Sequence, residues 1–268
     1  MPTQPAASSS TWGAQPPCSS SFTGFRTDRC PAGAPWRVYY THHFGGPMSD
    51  LNAFVLETPR PLPVILLLDC SSSMSGTKID ALNAAVRELT QELAATKQPQ
   101  GEVHLATISF GAHIDRTELV PASEAQLPPL SAGGMTPMGA ALDELLVLLE
   151  DRDKLPSRAY TPTLVLISDG QPTDHFDKAL TALLESPRGK RATRLALAIG
   201  DDADTGVLKR FVDHAEIPVI RAKEVSRIRD FFRWVTYSVQ ARSKSRSPDT
   251  AQVISPAMAD IPDDDLVF

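Results

Sequence analysis

The run Leu62-Pro-Val-Ile-Leu-Leu-Leu68 ends abruptly on Asp69. It is too short for a free-standing buried helix, is bounded by prolines and an acid, and has no polar residue at alternate positions. It reads as a strand covered on both faces, which occurs where helices flank a parallel sheet. Thr163-Leu-Val-Leu-Ile167 and Leu195-Ala-Leu-Ala-Ile199 repeat the pattern. Val103–Phe110 is a further strand, and Pro218-Val-Ile220 a short last one. The link Phe110-Gly-Ala-His113 is short enough for a hairpin, so 113–120 is expected as an antiparallel edge strand.

Between these runs the apolar period changes to that of a helix. Ile79, Leu82, Ala85, Val86, Leu89 and Leu93 mark the first, and Leu142, Leu145, Leu146 and Leu149 a second within Met138–Glu150. Two more lie near Asp174–Glu185 and Thr205–His214, and the last carries Val225, Ile228, Phe231, Phe232, Val235 and Val239. Strands alternating with helices predict an α/β fold: a doubly wound, mostly parallel six-stranded sheet with one antiparallel edge strand and helices on both faces.

The ends of the chain differ from this middle. Residues 1–47 are Ser-, Pro- and Gly-rich without a period, and 1–57 reads either as a disordered extension or as one that precedes and includes a true start at Met48. An acid-poor, Arg-bearing leader of this kind also suits a transit peptide, but no apolar segment makes it a secretory signal. The pattern of the folded domain spans 58–245. Residues 246–268 are expected as a flexible acidic tail, with five aspartates and no basic residue over 249–268. Two other roles are a linear motif over Ile261–Phe268 that folds on a partner, and a metal ligand for a second chain from Asp263–Asp265.

Lys and Arg total 26 against 32 Asp and Glu, a net charge of −6, which disfavours wrapping nucleic acid. No stretch of 18 apolar residues spans a membrane as a helix. Cys18, Cys30 and Cys70 are odd in number and too few for a disulfide framework, which fits the cytoplasm.

A sheet of this kind binds its ligand beyond the carboxyl ends of its strands. Three loops there carry oxygen donors. Asp69-Cys-Ser-Ser-Ser-Met74 follows the first strand, Gly133-Gly-Met-Thr-Pro-Met-Gly139 precedes the second helix, and Ser168-Asp-Gly170 closes a third strand. Asp69, Ser71, Ser73, Thr136 and Asp169 together form a hard-donor set suited to Mg²⁺, with Mn²⁺ or Ca²⁺ as alternatives. Alternation places Asp69, Ser71 and Ser73 on one side of an extended loop. Only two of the five are charged, so a bound divalent ion remains attractive to a partner's Asp or Glu. The competing explanation for Asp69, Ser71 and Ser73 is a cap on the helix that Lys78 opens.

These residues resemble the metal-ion-dependent adhesion site of von Willebrand factor A domains. Asp69-Cys-Ser-Ser-Ser-Met-Ser-Gly76, Gly133-Gly-Met-Thr-Pro-Met-Gly-Ala-Ala-Leu142, Ala198-Ile-Gly-Asp-Asp-Ala-Asp204 and Phe231-Phe-Arg-Trp-Val235 are similar to the bacterial TerY-like proteins linked to tellurite resistance. The resemblance implies that Asp69, Ser71, Ser73 and Thr136 approach the ion and that Asp169 acts through water. It also implies a stress or tellurite-response setting, with a metal-dependent protein phosphatase and a protein kinase as partners. Ser72 stands where that family commonly has glycine, and the position of Cys70 varies there.

The expected role is therefore a metal-dependent protein-docking module, without catalysis, nucleic acid or membrane. An enzyme alternative makes Asp69 the nucleophile of a Mg²⁺-dependent phosphohydrolase, although Asp69 lacks a neighbouring second carboxylate and no phosphate loop is present. A metal-free scaffold is the third reading. His175, the basic run Arg188, Lys190, Arg191 and Arg194, and Trp234 read first as a surface loop residue, a solvated loop and a core aromatic.

Overall fold

In a computed structural model describing residues 59–96, 101–200, 203–249 and 253–268, the first apolar run becomes strand β1, Arg60–Asp69, buried throughout except at Arg60. The fold described is that of the second of two units, Leu56–Phe268. The expected extension over 1–57 and the start at Met48 lie outside the described residues.

Side chains of β1 divide between the two faces. Leu62, Val64, Leu66 and Leu68 pack with α1 (Thr77–Ala95) and the last helix, Ser226–Lys244. Ile65 and Leu67 pack on the other face with α2 (Met138–Glu150) and α3 (Phe176–Glu185). Residues two apart share a face of a strand, so this division follows from the pleat. It also explains why the run contains no polar residue.

On either side, β1 pairs in parallel with β2 (Gly101–Phe110) and with β5 (Thr163–Ser168). Beyond β5 lie β6 (Thr193–Ile199) and β7 (Val219–Ala222), also parallel. Helix α4 (Thr205–Val212) joins β6 to β7, and α5 is the last helix. No helix among the described residues is long and apolar enough to cross a membrane.

The class agrees with expectation, but both edges of the sheet differ. The single edge strand expected over 113–120 is two short ones, β3 (Ile114–Arg116) and β4 (Val120–Pro121), both antiparallel to β2. Leu105 pairs with Val120 and Ile108 with Arg116, so three steps on β2 face four on its partner. This is a bulge. At its centre the Thr107 N–H donates to Thr117 Oγ1 at 2.8 Å, a place where a regular ladder would use a backbone carbonyl.

The other edge carries an eighth strand, β8 (Leu266–Val267), antiparallel to β7. Residues 253–268, expected as part of a flexible tail, instead fold back on the domain. Ala259 and Ile261 are buried beside α5, the Trp234 indole N–H donates to the Ile254 carbonyl at 2.8 Å, and buried Asp265 lies 3.5 Å from Arg227. The aspartates of 249–268 mask apolar anchors that suffice to dock the segment. The sheet therefore has eight strands rather than six.

Candidate metal centre

Asp69 ends β1 opposite Phe110 of β2, one residue beyond the β1 register with Ile167. That position sets it beside Ser168, the last residue of β5. Asp69 is fully buried. Its Oδ2 accepts from Ser168 Oγ at 2.5 Å and its Oδ1 from the Ser71 N–H at 2.8 Å. Burial pushes its carboxyl above the ordinary range, the Ser168 and Ser71 hydrogen bonds oppose this, and Asp169 raises it further.

After Asp69 the chain turns through a short 3₁₀ segment, Ser72–Met74. Ser71 is buried, whereas Ser73 is exposed. Their hydroxyls lie 2.9 Å apart, and Ser73 Oγ donates to Asp169 Oδ1 at 2.6 Å. The first and third loops are thus joined through one serine.

The second loop is pinned to the first by its backbone. The Gly133 N–H donates to the Cys70 carbonyl at 2.7 Å, and the Ser72 N–H to the Gly134 carbonyl at 3.1 Å. Gly134 has φ +79°, and a Cβ there would come within 2.5 Å of the Ala112 backbone, so only glycine fits. Thr136 is then held from the far side: its N–H donates to Thr173 Oγ1 at 3.2 Å and its carbonyl accepts from the Thr173 N–H at 3.0 Å. A Cβ at Gly170 would lie 3.5 Å from Thr136 Oγ1 and 4.0 Å from Ser73 Oγ, so these two hydroxyls face one small open space above Gly170.

All five expected donors converge. Asp69, Ser71, Ser73 and Asp169 are linked by hydrogen bonds, and Thr136 faces the same space. Among the described residues no three His, Cys, Asp or Glu side chains group as a metal site, so an ion held here depends on hydroxyl donors. The set of two carboxylates and three hydroxyls fits a hard divalent ion. A positive charge is already drawn to it: Lys78 Nζ donates to Asp169 Oδ2 at 2.5 Å and to the Ser73 carbonyl at 3.3 Å.

Other residues have structural work. His175 Nε2 lies 2.7 Å from Asp143 Oδ2, outside the donor set. Arg188 donates to the Leu149 carbonyl at 2.6 Å and Arg191 to the Pro187 carbonyl at 3.1 Å. Buried Arg194 donates to the carbonyls of Val212 and Gly189 at 3.2 and 2.8 Å. Leu149 and Val212 sit in the last turns of α2 and α4, where exposed carbonyls and the helix dipole favour a cation. Trp234 is fully buried, as a core aromatic.

Three contributors were not singled out from sequence. Ser168 directly precedes Asp169, and its strand position was the available signal. Asp174 accepts from the N–H groups of Gly139 and Ala140, both at 2.8 Å, and so anchors the start of α2 next to Thr136. Asn83 in α1 clamps Leu130 with its side-chain amide, at 2.9 Å to the carbonyl and 2.8 Å from the N–H. No local sequence signal marked Asn83, because its partner lies 47 residues away.

The model of the von Willebrand factor type A domain matches residues 64–234. A human protein, inter-alpha-trypsin inhibitor heavy chain H6, is 27% identical over 193 residues, 64% of this chain but 13% of its own length. A von Willebrand factor type A structure from Catenulispora acidiphila superposes with a TM-score of 0.54 at 18% identity, covering 68% of this chain and 43% of the other. Proximal thread matrix protein 1 from the mussel byssus, with a zinc-occupied MIDAS motif, gives 0.51 at 14% identity over 68% and 48%. At such identities the structural likenesses show the fold alone. This chain spans less than half of each of these relatives.

Proposed function

This chain belongs to the von Willebrand factor type A domain family, and from that premise we propose that it is a metal-dependent docking module for a protein partner. Asp69, Ser71, Ser73, Thr136 and Asp169 hold Mg²⁺, chosen over softer ions because every donor is oxygen. Bound there, the ion supplies a Lewis-acidic position that a carboxylate of the partner completes. The residues of the chain hold and orient: Ser168 and the Ser71 N–H fix the Asp69 carboxylate, and Thr173 fixes Thr136. The observation that carries the reading is the chain of contacts Ser71–Ser73–Asp169, which brings hydroxyl and carboxylate donors from two strands together at 2.9 and 2.6 Å.

We favour docking over the phosphohydrolase reading because a nucleophilic Asp69 calls for a cation that meets the phosphate, whereas Lys78 is paired with Asp169. Cys70 is no better a nucleophile, because burial, followed by the charges of Asp69 and Asp115, pushes its thiol up to about 12.

The TerY-like motifs, and with them a tellurite or stress-response setting with phosphatase and kinase partners, form the finer part of the proposal. They rest on the quoted sequence resemblance. The cytoplasm is the compartment that the sparse cysteines favour.

The test is capture of partners on the immobilised full chain, with Mg²⁺ and with EDTA. Ser71→Ala and Asp169→Ala each abolish the Mg²⁺-dependent fraction while leaving the fold intact by circular dichroism. Capture that survives both substitutions and EDTA overturns the proposal in favour of a metal-free scaffold. Hydrolysis of a phosphate ester that disappears in Asp69→Asn would restore the enzyme reading.

A further inference from the structure

The two carboxylates of the site are not equivalent. Asp69 receives only neutral donors, Ser168 Oγ and the Ser71 N–H. Asp169 receives Ser73 Oγ on one oxygen and the Lys78 ammonium on the other. The Asp169 side chain is 1% exposed and that of Lys78 32%, so the ion pair is shielded on the carboxylate side and open to water on the other.

Lys78 is also badly placed as a helix residue. It is the second residue of α1, Thr77–Ala95, in the turn where the helix dipole repels a cation. The first turn of that helix carries its acid, Asp80, in the favoured sense. Helix stability therefore does not account for a lysine at this position, whereas the carboxylate of Asp169 does.

We propose that Lys78 is a tethered counter-cation that sets both how tightly the site holds a divalent ion and how strongly the bound ion demands an anionic ligand. The proposal rests on the five donors being a divalent site. Without the ion, Lys78 reduces the charge of the donor set from −2 to −1, which keeps the loops of β1 and β5 from repelling each other. With a divalent ion added, the charge is +1, where Asp69 and Asp169 alone would leave it neutral. A neutral site accepts water as readily as a carboxylate, whereas a positive, half-buried one favours the anion. Lys78 weakens the ion's hold and strengthens the demand for an acidic partner.

The experiment uses the full chain and Mn²⁺ as the probe, titrated by electron paramagnetic resonance with and without acetate. Lys78→Met keeps the stem and removes the charge, and Lys78→Arg keeps the charge. Lys78→Met is expected to bind Mn²⁺ about tenfold more tightly than the parent, as one unit charge a few ångströms from the ion requires, with Lys78→Arg close to the parent. Acetate is expected to tighten Mn²⁺ binding in the parent and much less in Lys78→Met. In EDTA, Lys78→Met melts below the parent. Lys78→Gln carries the same expectations should the methionine variant not fold. Unchanged or weaker Mn²⁺ binding in the charge-removed variants overturns the role of Lys78 while leaving the metal site standing. A parent chain that binds no Mn²⁺ overturns the metal site itself.

Discussion

Ser73 Oγ donates to Asp169 Oδ1 at 2.6 Å, joining residues 96 positions apart in the chain. Both ends of this bond are fixed by adjacent parallel strands, since Leu68 of β1 pairs with Ile167 of β5. The candidate donors Asp69, Ser71, Ser73 and Asp169 are therefore carried by the most buried part of the sheet. The loop of Thr136 is different, because it is carried by a connection between β4 and α2 and depends on clamps from outside the sheet.

Asn83 is one such clamp. Asn83→Ala removes two hydrogen bonds to Leu130 and is expected to destabilise the fold by about 1–3 kcal/mol. Because Leu130 leads into the Gly133–Thr136 loop, Mg²⁺ should also raise the melting temperature less than in the parent, although no donor is changed. Calorimetric melting with and without Mg²⁺ reads both effects; an unaltered Mg²⁺ increment would dissociate Leu130 from the site.

A second expectation concerns acid. Burial acts to raise the Asp249 carboxyl, but hydrogen bonds from the Thr161 N–H and hydroxyl, with Arg60 and Arg242 nearby, hold it below its ordinary value of 3.8. A depressed carboxyl adds stability that is fully present above 3.8 and is lost as pH falls through the folded value. Asp249→Asn should melt below the parent at pH 7, and the gap should close below pH 3.8. A gap constant over that acid range would show that Asp249 acts by shape alone.

A third concerns Cys70. With its thiol pushed up to about 12, only roughly one molecule in ten thousand carries the thiolate at pH 8. Native protein treated with iodoacetamide at pH 8 should leave Cys70 unmodified by peptide mass spectrometry, and unfolding in guanidinium should expose it. Rapid native modification of Cys70 would contradict its burial.

The central strands, and the placing of Asp69, Ser71, Ser73 and Asp169 at their carboxyl ends, were legible because each depends on its own neighbours in sequence, whereas the approach of Thr136 depends on contacts made by its loop. An unbroken apolar run means cover on both faces, and an acid or hydroxyl just after it lies at the strand's carboxyl end. The edges were less legible. Thr117 takes the place of a backbone acceptor in the ladder, which nothing in the alternation of 113–120 reveals. The anchors Ala259 and Ile261 are scattered among aspartates and form no period, so the composition of 253–268 suggests a free tail while two buried side chains and the Trp234 hydrogen bond hold it. Lys78 was visible in sequence as the residue expected to open α1, but its contact with Asp169 spans 91 residues and belongs to the tertiary structure.

The short antiparallel strands at the two borders of the sheet have a consequence for how copies of this protein meet. An open parallel edge presents a row of unpaired N–H and C=O groups on which another chain can crystallise as one more strand. Here β3 and β4 cover β2 on one border with a bulge between them, and β8 covers the start of β7 on the other. Growth by strand addition, the route to fibres and swapped sheets, is blunted on both sides. Among the described residues the backbone at both borders thus offers a neighbouring chain only short or bulged stretches to extend.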